Sequence, residues 1–292
     1  MSGLVIFSDI HFVPQFLDEQ ITVVTDIFNF AKEHEADAVI FNGDLFESKN
    51  RIDVALYNAV WTLFYNFHVL NPDVPLVLNT GNHDIIAMNR ESSLKPFSRA
   101  VSLLITAPVT EHFGTYAVTI VPFGMPIPEH QSDILFTHEL VDIFLTTPTK
   151  GPILAAKDLS EYYYIFNGHI HSAADKGNIY NIGSSFRTDF GEEGQIKRFL
   201  YMDKGKIESI IIDCPQYITL DGISDVLVSK LEKDDRNIFR INISPDQLSH
   251  PIFKKHNVKP NVIKSVRSET RLEKTSSIEE EFMAYLGQSK TE

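Results

Sequence analysis

Apolar residues near the start of the chain come in two rhythms. Residues 4–7 (LVIF), 37–41 (DAVIF) and 75–79 (PLVLN) are short, nearly unbroken apolar runs, which suit strands buried on both faces. Between them, Leu17, Ile21, Val24, Phe28 and Ala31 recur at helical spacing over 17–34. Val54, Tyr57, Trp61, Phe64 and Tyr65 share one side of a second helix at 53–67. This βαβαβ alternation predicts parallel strands joined by crossover helices. Further strands are expected at 116–122, 133–137, 162–166, 178–183, 198–203 and 206–213, the last two flanking a Lys-Gly turn as a hairpin. Two sheets facing each other, with helices outside, accommodate the set.

After Pro215 the texture changes. A helix is expected within 222–233, an alternating half-buried strand at 237–243, a loop or weak helix at 244–261 and another strand at 262–269. A short helix at 276–287 has Ser276 or Ser277 to cap it and three glutamates in its first turn. Ile278, Phe282, Tyr285 and Leu286 share one of its faces. The chain thus divides into an α/β domain at 1–213, a small α+β cap at 214–272 and a terminal helix at 273–292.

With 292 residues, 43% of them apolar, the chain can bury a sizeable core. The single cysteine, Cys214, rules out an internal disulfide. The start, MSGLVIFSDIHF, lacks the basic flank of a signal peptide, and no run approaches the length of a membrane helix. These features predict a soluble cytoplasmic protein. The net charge of -13 is uneven: residues 1–200 hold 12 basic against 24 acidic side chains, whereas 254–274 hold seven basic against two acidic. An acidic front half repels polyanions unless cations sit in it; the basic stretch suits phosphate.

Candidate chemistry gathers where strands end. The first run leads into Asp9 and His11, the second into Asp44, the third into Asn82, His83 and Asp84. The run at 133–137 leads into His138, and that at 162–166 into His169 and His171. The carboxyl ends of parallel strands share an edge, so these residues converge. Gly43, Gly81 and Gly168 stand just before them, where a sharp turn is needed. Taken singly, each of these residues could cap a turn; five strand ends together are no coincidence. Carboxylate, amide and imidazole donors without thiolate suit Mn, Fe or Zn. Asp9, His11, Asp44, Asn82, His138, His169 and His171 are too many for one ion, and fit two ions sharing a carboxylate.

The motifs DIH (9–11), GDLFE (43–47), GNHD (81–84), THE (137–139) and GHIH (168–171) resemble those of the calcineurin-like metallophosphoesterase superfamily. That resemblance implies a four-layer α/β/β/α sandwich. It also implies one divalent ion, most simply Mn2+ with Mg2+, Fe or Zn as alternatives, on Asp9, His11 and His171, a second on Asn82, His138 and His169, and Asp44 as the bridge. His83 would meet the scissile phosphate, with Asp84 orienting it. A narrower resemblance lies in YNIGSSFRTDFGEE (180–193), which looks like the matching segment of SbcD-type nucleases, partners of an SbcC-type coiled-coil ATPase. It implies DNA as substrate, with 3′→5′ exonuclease action on duplex ends and endonuclease action on single strands. Arg187, Lys197, Arg198, Lys254, Lys255 and Lys259 are then candidate DNA contacts. The terminal helix, through Ile278, Phe282, Tyr285 and Leu286, would dock the ATPase, and a homodimer is a family expectation. Phe12, the sequence Lys197-Arg198-Phe199 and the short region after 215 depart from the pattern and suit a minimal, phage-like version. A phosphodiesterase or phosphatase on nucleotides, lipids or phosphoproteins shares the same motifs; a scaffold without catalysis fits poorly, since the ligands and His83 are all present.

Overall fold

The computed structural model describes residues 3–86, 91–129, 132–149 and 152–263. Strands β1 (Gly3–Phe7), β2 (Ala38–Asn42) and β3 (Leu76–Asn79) alternate with helices α1 (Leu17–Glu33) and α2 (Val54–Leu70). A short ribbon of β4 (Ile85–Ile86) and β5 (Glu91–Ser92) follows, then β6 (Leu103–Ile105), β7 (Val109–Phe113), β8 (Tyr116–Ile120) and β9 (Ile134–Thr137). Next come β10 (Tyr164–Asn167), β11 (Ala174–Lys176), β12 (Ile179–Asn181) and the hairpin of β13 (Arg198–Asp203) and β14 (Lys206–Ile211). Lys204 and Gly205 both take positive φ in its two-residue turn, the conformation that matches the strands' twist. The strands expected within residues 1–213 all form; of the one expected at 262–269 only Val262 lies in a strand, Val258–Val262, where a loop or weak helix was expected, and residues 264–269 lie outside the described residues. Among those the pattern did not mark, β6, β7 and β11 lie at sheet edges, where burial on both faces is not required.

One sheet has the order β14-β13-β1-β2-β3-β6, the other β11-β12-β10-β9-β8-β7. Each is parallel at its centre: Val5 pairs with Val39 and Ile40 with Val77 in the first, Ile165 with Leu135 and with Ile179 in the second. Period-two alternation splits each first-sheet strand between two cores. Val5, Phe7, Val39 and Phe41 meet Val24, Phe28 and Phe64 of the helices. Leu4, Ile6, Ala38 and Ile40 share a second cluster with Ile134, Phe136 and Phe166 of the other sheet. The far face of that sheet is covered by one-turn 3-10 segments at Asp142–Phe144 and Ala156–Leu159 and by loops; these enclose Val121, Leu135, Leu159, Tyr162 and Ile165.

The parallel strands share a polar closing position. Asn42, Asn79, Thr137, Asn167 and Asn181 each end a strand, Ser8 follows one, and all are buried. Asn42 ties the two sheets together: its amide nitrogen donates to the Thr137 carbonyl (2.7 Å), and its side-chain oxygen accepts from Asn79 (2.9 Å).

Contacts divide the chain into Met1–Ile218 and Thr219–Glu292. The expected boundary lay at 213/214; the division falls within a strand, β15 (Tyr217–Asp221). The second unit's described part holds α3 (Asp225–Leu231), β16 (Ile238–Ile243) and β17 (Val258–Val262), in a three-stranded sheet ordered β15-β16-β17. Ser224 caps α3 by accepting from the Leu227 amide. The helix is shorter than the expected 222–233, because Asp234 turns the chain by accepting the amides of Arg236 and Asn237. The expected helix at 276–287, with Ile278, Phe282, Tyr285 and Leu286, lies outside the described residues.

Replacing Asn42 with Ala should weaken the junction between the sheets. Loss of its bonds to Thr137 and Asn79 in a dry interior is expected to cost about 1–3 kcal/mol, read as a lower urea midpoint at unchanged slope through the fluorescence of Trp61, the chain's one tryptophan.

Candidate metal centre

The loops after β1 and β2 run side by side. The amides of Asp9, His11 and Phe12 donate to the carbonyls of Gly43, Asp44 and Leu45 at 3.0, 3.2 and 2.8 Å. Gln20, buried on α1, secures the first loop, donating to the Ile10 and His11 carbonyls and accepting the Val13 amide. Asp9, His11, Asp44 and His169 all have positive φ, at 51°, 48°, 61° and 74°. Such backbone costs on the order of 1–3 kcal/mol per residue and clusters where side chains must be aimed. Gly43 (φ 96°) and Gly168 make room: a Cβ on either would lie 2.5 or 2.6 Å from His138 Nδ1.

The ligand atoms form two groups. Those of Asp9, His11 and His171 lie within 4.8 Å of one another, as do those of Asp44, His138 and His169. In the first group, His11 Nε2 and His171 Nε2 face each other at 3.0 Å, with Asp9 Oδ1 3.9 Å from both. In the second, His169 Nδ1 meets Asn82 Oδ1 at 2.5 Å. Asp44 Oδ2 lies between the groups, 3.6 Å from His11 Nε2 and 3.2 Å from His138 Nε2. All seven predicted ligands therefore converge, four from the first sheet and three from the second.

The donors fit cations. His138 Nδ1 lies 2.6 Å from the Asn42 carbonyl, which can only accept, so Nδ1 carries the proton and aims Nε2 into the centre. Nε2 is fully buried and makes no hydrogen bond. An orphaned imidazole nitrogen beside a buried carboxylate is what a divalent ion satisfies. Glu192 accepts from His171 Nδ1 at 2.5 Å and so orients that ring in the same manner. Glu47 Oε2 sits 2.8 Å from His11 Nδ1 as an ion pair that is not squarely aligned.

Without ions, protons balance the carboxylates. Burial opposes a charge on His11, but Asp9, Glu47 and Asp44 overcome it and lift the imidazole to about 10. Burial likewise opposes a charge on His138, and Asp44 and Asp9 raise it to about 9. Burial and neighbouring His138 depress His169 to about 4. Burial works to raise Asp9 and Asp44 too; the surrounding imidazoles, His138 foremost, reverse that and hold both below the usual carboxylate range.

His83 lies beside the first group: its ligand atom and those of His11 and Glu47 form a third set within 4.8 Å of one another. Its ring is edge-on to His11 at 4.7 Å, its side chain is a quarter exposed, and its Nδ1 lies 2.6 Å from the Glu47 carbonyl. Asp84 does not hold that ring. Its carboxylate accepts the amides of Asp44, Leu45 and Gly81 at 2.8, 3.0 and 2.9 Å, locking the loops together. Burial and nearby Asp44 push it up to about 7.

Three expected DNA contacts are corrected. Arg187, Lys197 and Arg198 are 5%, 0% and 6% exposed. Arg187 reaches the Gln195 carbonyl and Cys214, Lys197 reaches Glu192 and Ser184, and Arg198 grips Asp175, Ser209 and the Asn181 carbonyl. In the second unit Lys255 is committed to the Leu231 and Glu232 carbonyls and Asp235, while Lys254 and Lys259 are exposed. Glu192, Glu47, Asn42 and Gln20 went unassigned by the sequence reading. An asparagine closing run after run, as in AVIFN, LVLN and YIFN, was the available signal for Asn42.

Residues 3–201 match the model of the calcineurin-like phosphoesterase family, and the chain belongs to that family. It is accordingly a metal-dependent hydrolase of a dinuclear type. No curated protein matches it in sequence. Among solved structures, it is similar to an archaeal phosphodiesterase (13% identity, 72% of this chain and 99% of that one, TM-score 0.39). It is also similar to the phosphoesterase Yfce of E. coli (14%, 72% and 100%, 0.36) and to the nuclease MPE of Pseudomonas putida (12%, 71% and 87%, 0.37). No helix among the described residues is long and apolar enough to cross a membrane.

Metal binding should release protons. With His11 near 10 and His138 near 9 in the metal-free chain, both are protonated at pH 7 and must give up those protons to ions. Calorimetry in buffers of different ionisation heat should detect the release. Affinity should climb from pH 6 to about 9, by up to about tenfold per pH unit for each proton displaced.

Proposed function

We propose that the chain is the nuclease subunit of an SbcCD-type complex: a two-metal DNA phosphodiesterase that trims duplex ends 3′→5′, cuts single strands and works with a coiled-coil ATPase. The observation that carries its hydrolytic part is the meeting of two metal pockets and a non-ligand histidine at one rim. Bound ions, Mn2+ above all, would supply Lewis acidity and a nucleophile at neutral pH. The chain's own groups do the rest. Asp9, His11 and His171 hold one side, Asn82, His138 and His169 the other, and Asp44 joins them. With Nδ1 of His83 committed to the Glu47 carbonyl, its Nε2 is left to meet a phosphate oxygen or the leaving oxygen.

Three features favour DNA. The segment 180–193 resembles that of SbcD-type nucleases. A separate C-terminal unit follows the phosphoesterase domain. Lys254 and Lys259 are exposed at the start of the basic stretch 254–274. That stretch offers the cations which the acidic front half lacks. The ATPase would take the apolar face of 276–287, and a homodimer is in keeping with the family.

Linear duplex DNA and a small chromogenic phosphodiester, each offered with Mn2+, test this reading, with and without an SbcC-type ATPase. Nucleotide release from the duplex is expected. Turnover of the small ester alone, with DNA intact even beside the ATPase, would replace it with a phosphodiesterase or phosphatase acting on nucleotides, lipids or phosphoproteins. His83→Ala should lower turnover by about 10²–10⁴-fold while calorimetry still counts two ions.

A further inference from the structure

Glu192 belongs to a segment that sequence likeness connects with nucleic acid, yet the fold buries it behind the metal centre. It is 4% exposed. Its Oε1 meets His171 Nδ1 at 2.5 Å, accepts from Ser184 Oγ at 3.1 Å and lies 3.3 Å from Lys197 Nζ. Its Oε2 accepts the Thr188 amide at 2.8 Å. Lys197, with no exposed surface, also donates to Ser184 Oγ and to Gln195 Oε1. Every group around this carboxylate is a donor, so it is fixed in place, ionised, with one oxygen turned to the histidine.

The neighbouring pocket has no such brace. The outer nitrogen of His138 meets a neutral carbonyl, that of Asn42. Asn82 brings no charge, and His169 Nδ1 faces its side-chain oxygen. The Asp9–His11–His171 pocket thus has its own carboxylate besides the shared Asp44, and a carboxylate behind each histidine: Glu192 accepts from His171, and Glu47 forms an ion pair with His11. A carboxylate behind an imidazole makes its inner nitrogen a stronger donor and fixes the ring's direction, worth about 10–100-fold in metal affinity.

We propose that Glu192, clamped by Lys197, is a positioning residue that makes the Asp9–His11–His171 pocket the tighter of the two, so that it fills first. The proposal holds whichever phosphoester the enzyme cleaves. Titration of the metal-free full chain with Mn2+ in a calorimeter tests it. Two separate binding events are expected in the wild type. Glu192→Gln should weaken the tighter event by about 10–100-fold and leave the weaker one in place. His169→Ala should remove the weaker event and spare the tighter. Two equal events in the wild type, or Glu192→Gln weakening only the looser one, overturns the assignment. Should Glu192→Gln fail to fold by circular dichroism, Glu192→Asp, which keeps the charge but shortens its reach to His171, provides the test: it must weaken the tighter event alone, and any other result overturns the proposal.

Discussion

The centre depends on keeping the ends of two separate sheets at a fixed spacing, and Asn42 is where that spacing is set. Its side chain joins β2 to β3 and β9, and its main-chain carbonyl receives both Ser8 Oγ and His138 Nδ1. Below it the facing sheets bury apolar side chains such as Ile6, Ile40 and Phe136. Above it begin the turns that present ligands. The band of Asn42, Asn79, Thr137, Asn167 and Asn181 is therefore a boundary layer, linked by its own hydrogen bonds, between a dry interior and a charged rim. A polar layer cross-linked in this way in low dielectric is rigid, which suits a site whose donors must be placed to fractions of an ångström.

Charge is the second constraint. Asp9 and Asp44 are both almost fully buried, close to each other, and carried on left-handed backbone. A structure that opposes neither cost with cations is unstable, so the fold calls for them, as protons on imidazole or as bound metal. Metal therefore does more than enable catalysis: it relieves the repulsion between two buried carboxylates. Asp84 shows how closely the loops are fitted around this, since its carboxylate collects three amides from both sides of the junction.

The sequence disclosed the inner strands and the side chains that converge at their ends because both follow from repetition: an apolar run, a glycine, a polar residue. The inner strands 4–7, 37–41 and 133–137 could hardly be read otherwise, being buried on both faces. Edge strands such as Val109–Phe113 mix Thr, Glu and His with apolar residues and carry no such mark. Arg187, Lys197 and Arg198 misled for a different reason. Composition shows a cation but not its direction, and these three turn inward to carbonyls, Glu192 and Asp175. Glu192 and Glu47 act through the far nitrogens of histidines, a relation that requires the chain to be folded before it exists.

The position of β1 sets an order of events during synthesis. β1 lies between β2 and β13, and its first residue pairs with Asp203. A ribosome therefore releases the strand bearing Asp9 long before the neighbour that completes its pairing. His171, the last of the ligands, and Lys197, which clamps the group behind it, also emerge ahead of most of that closing strand. Nascent chains can carry every donor and still lack the frame that aims the first two. Joining segments so distant along the chain is slow, so the frame around the centre closes only after nearly all of the phosphoesterase domain has been made.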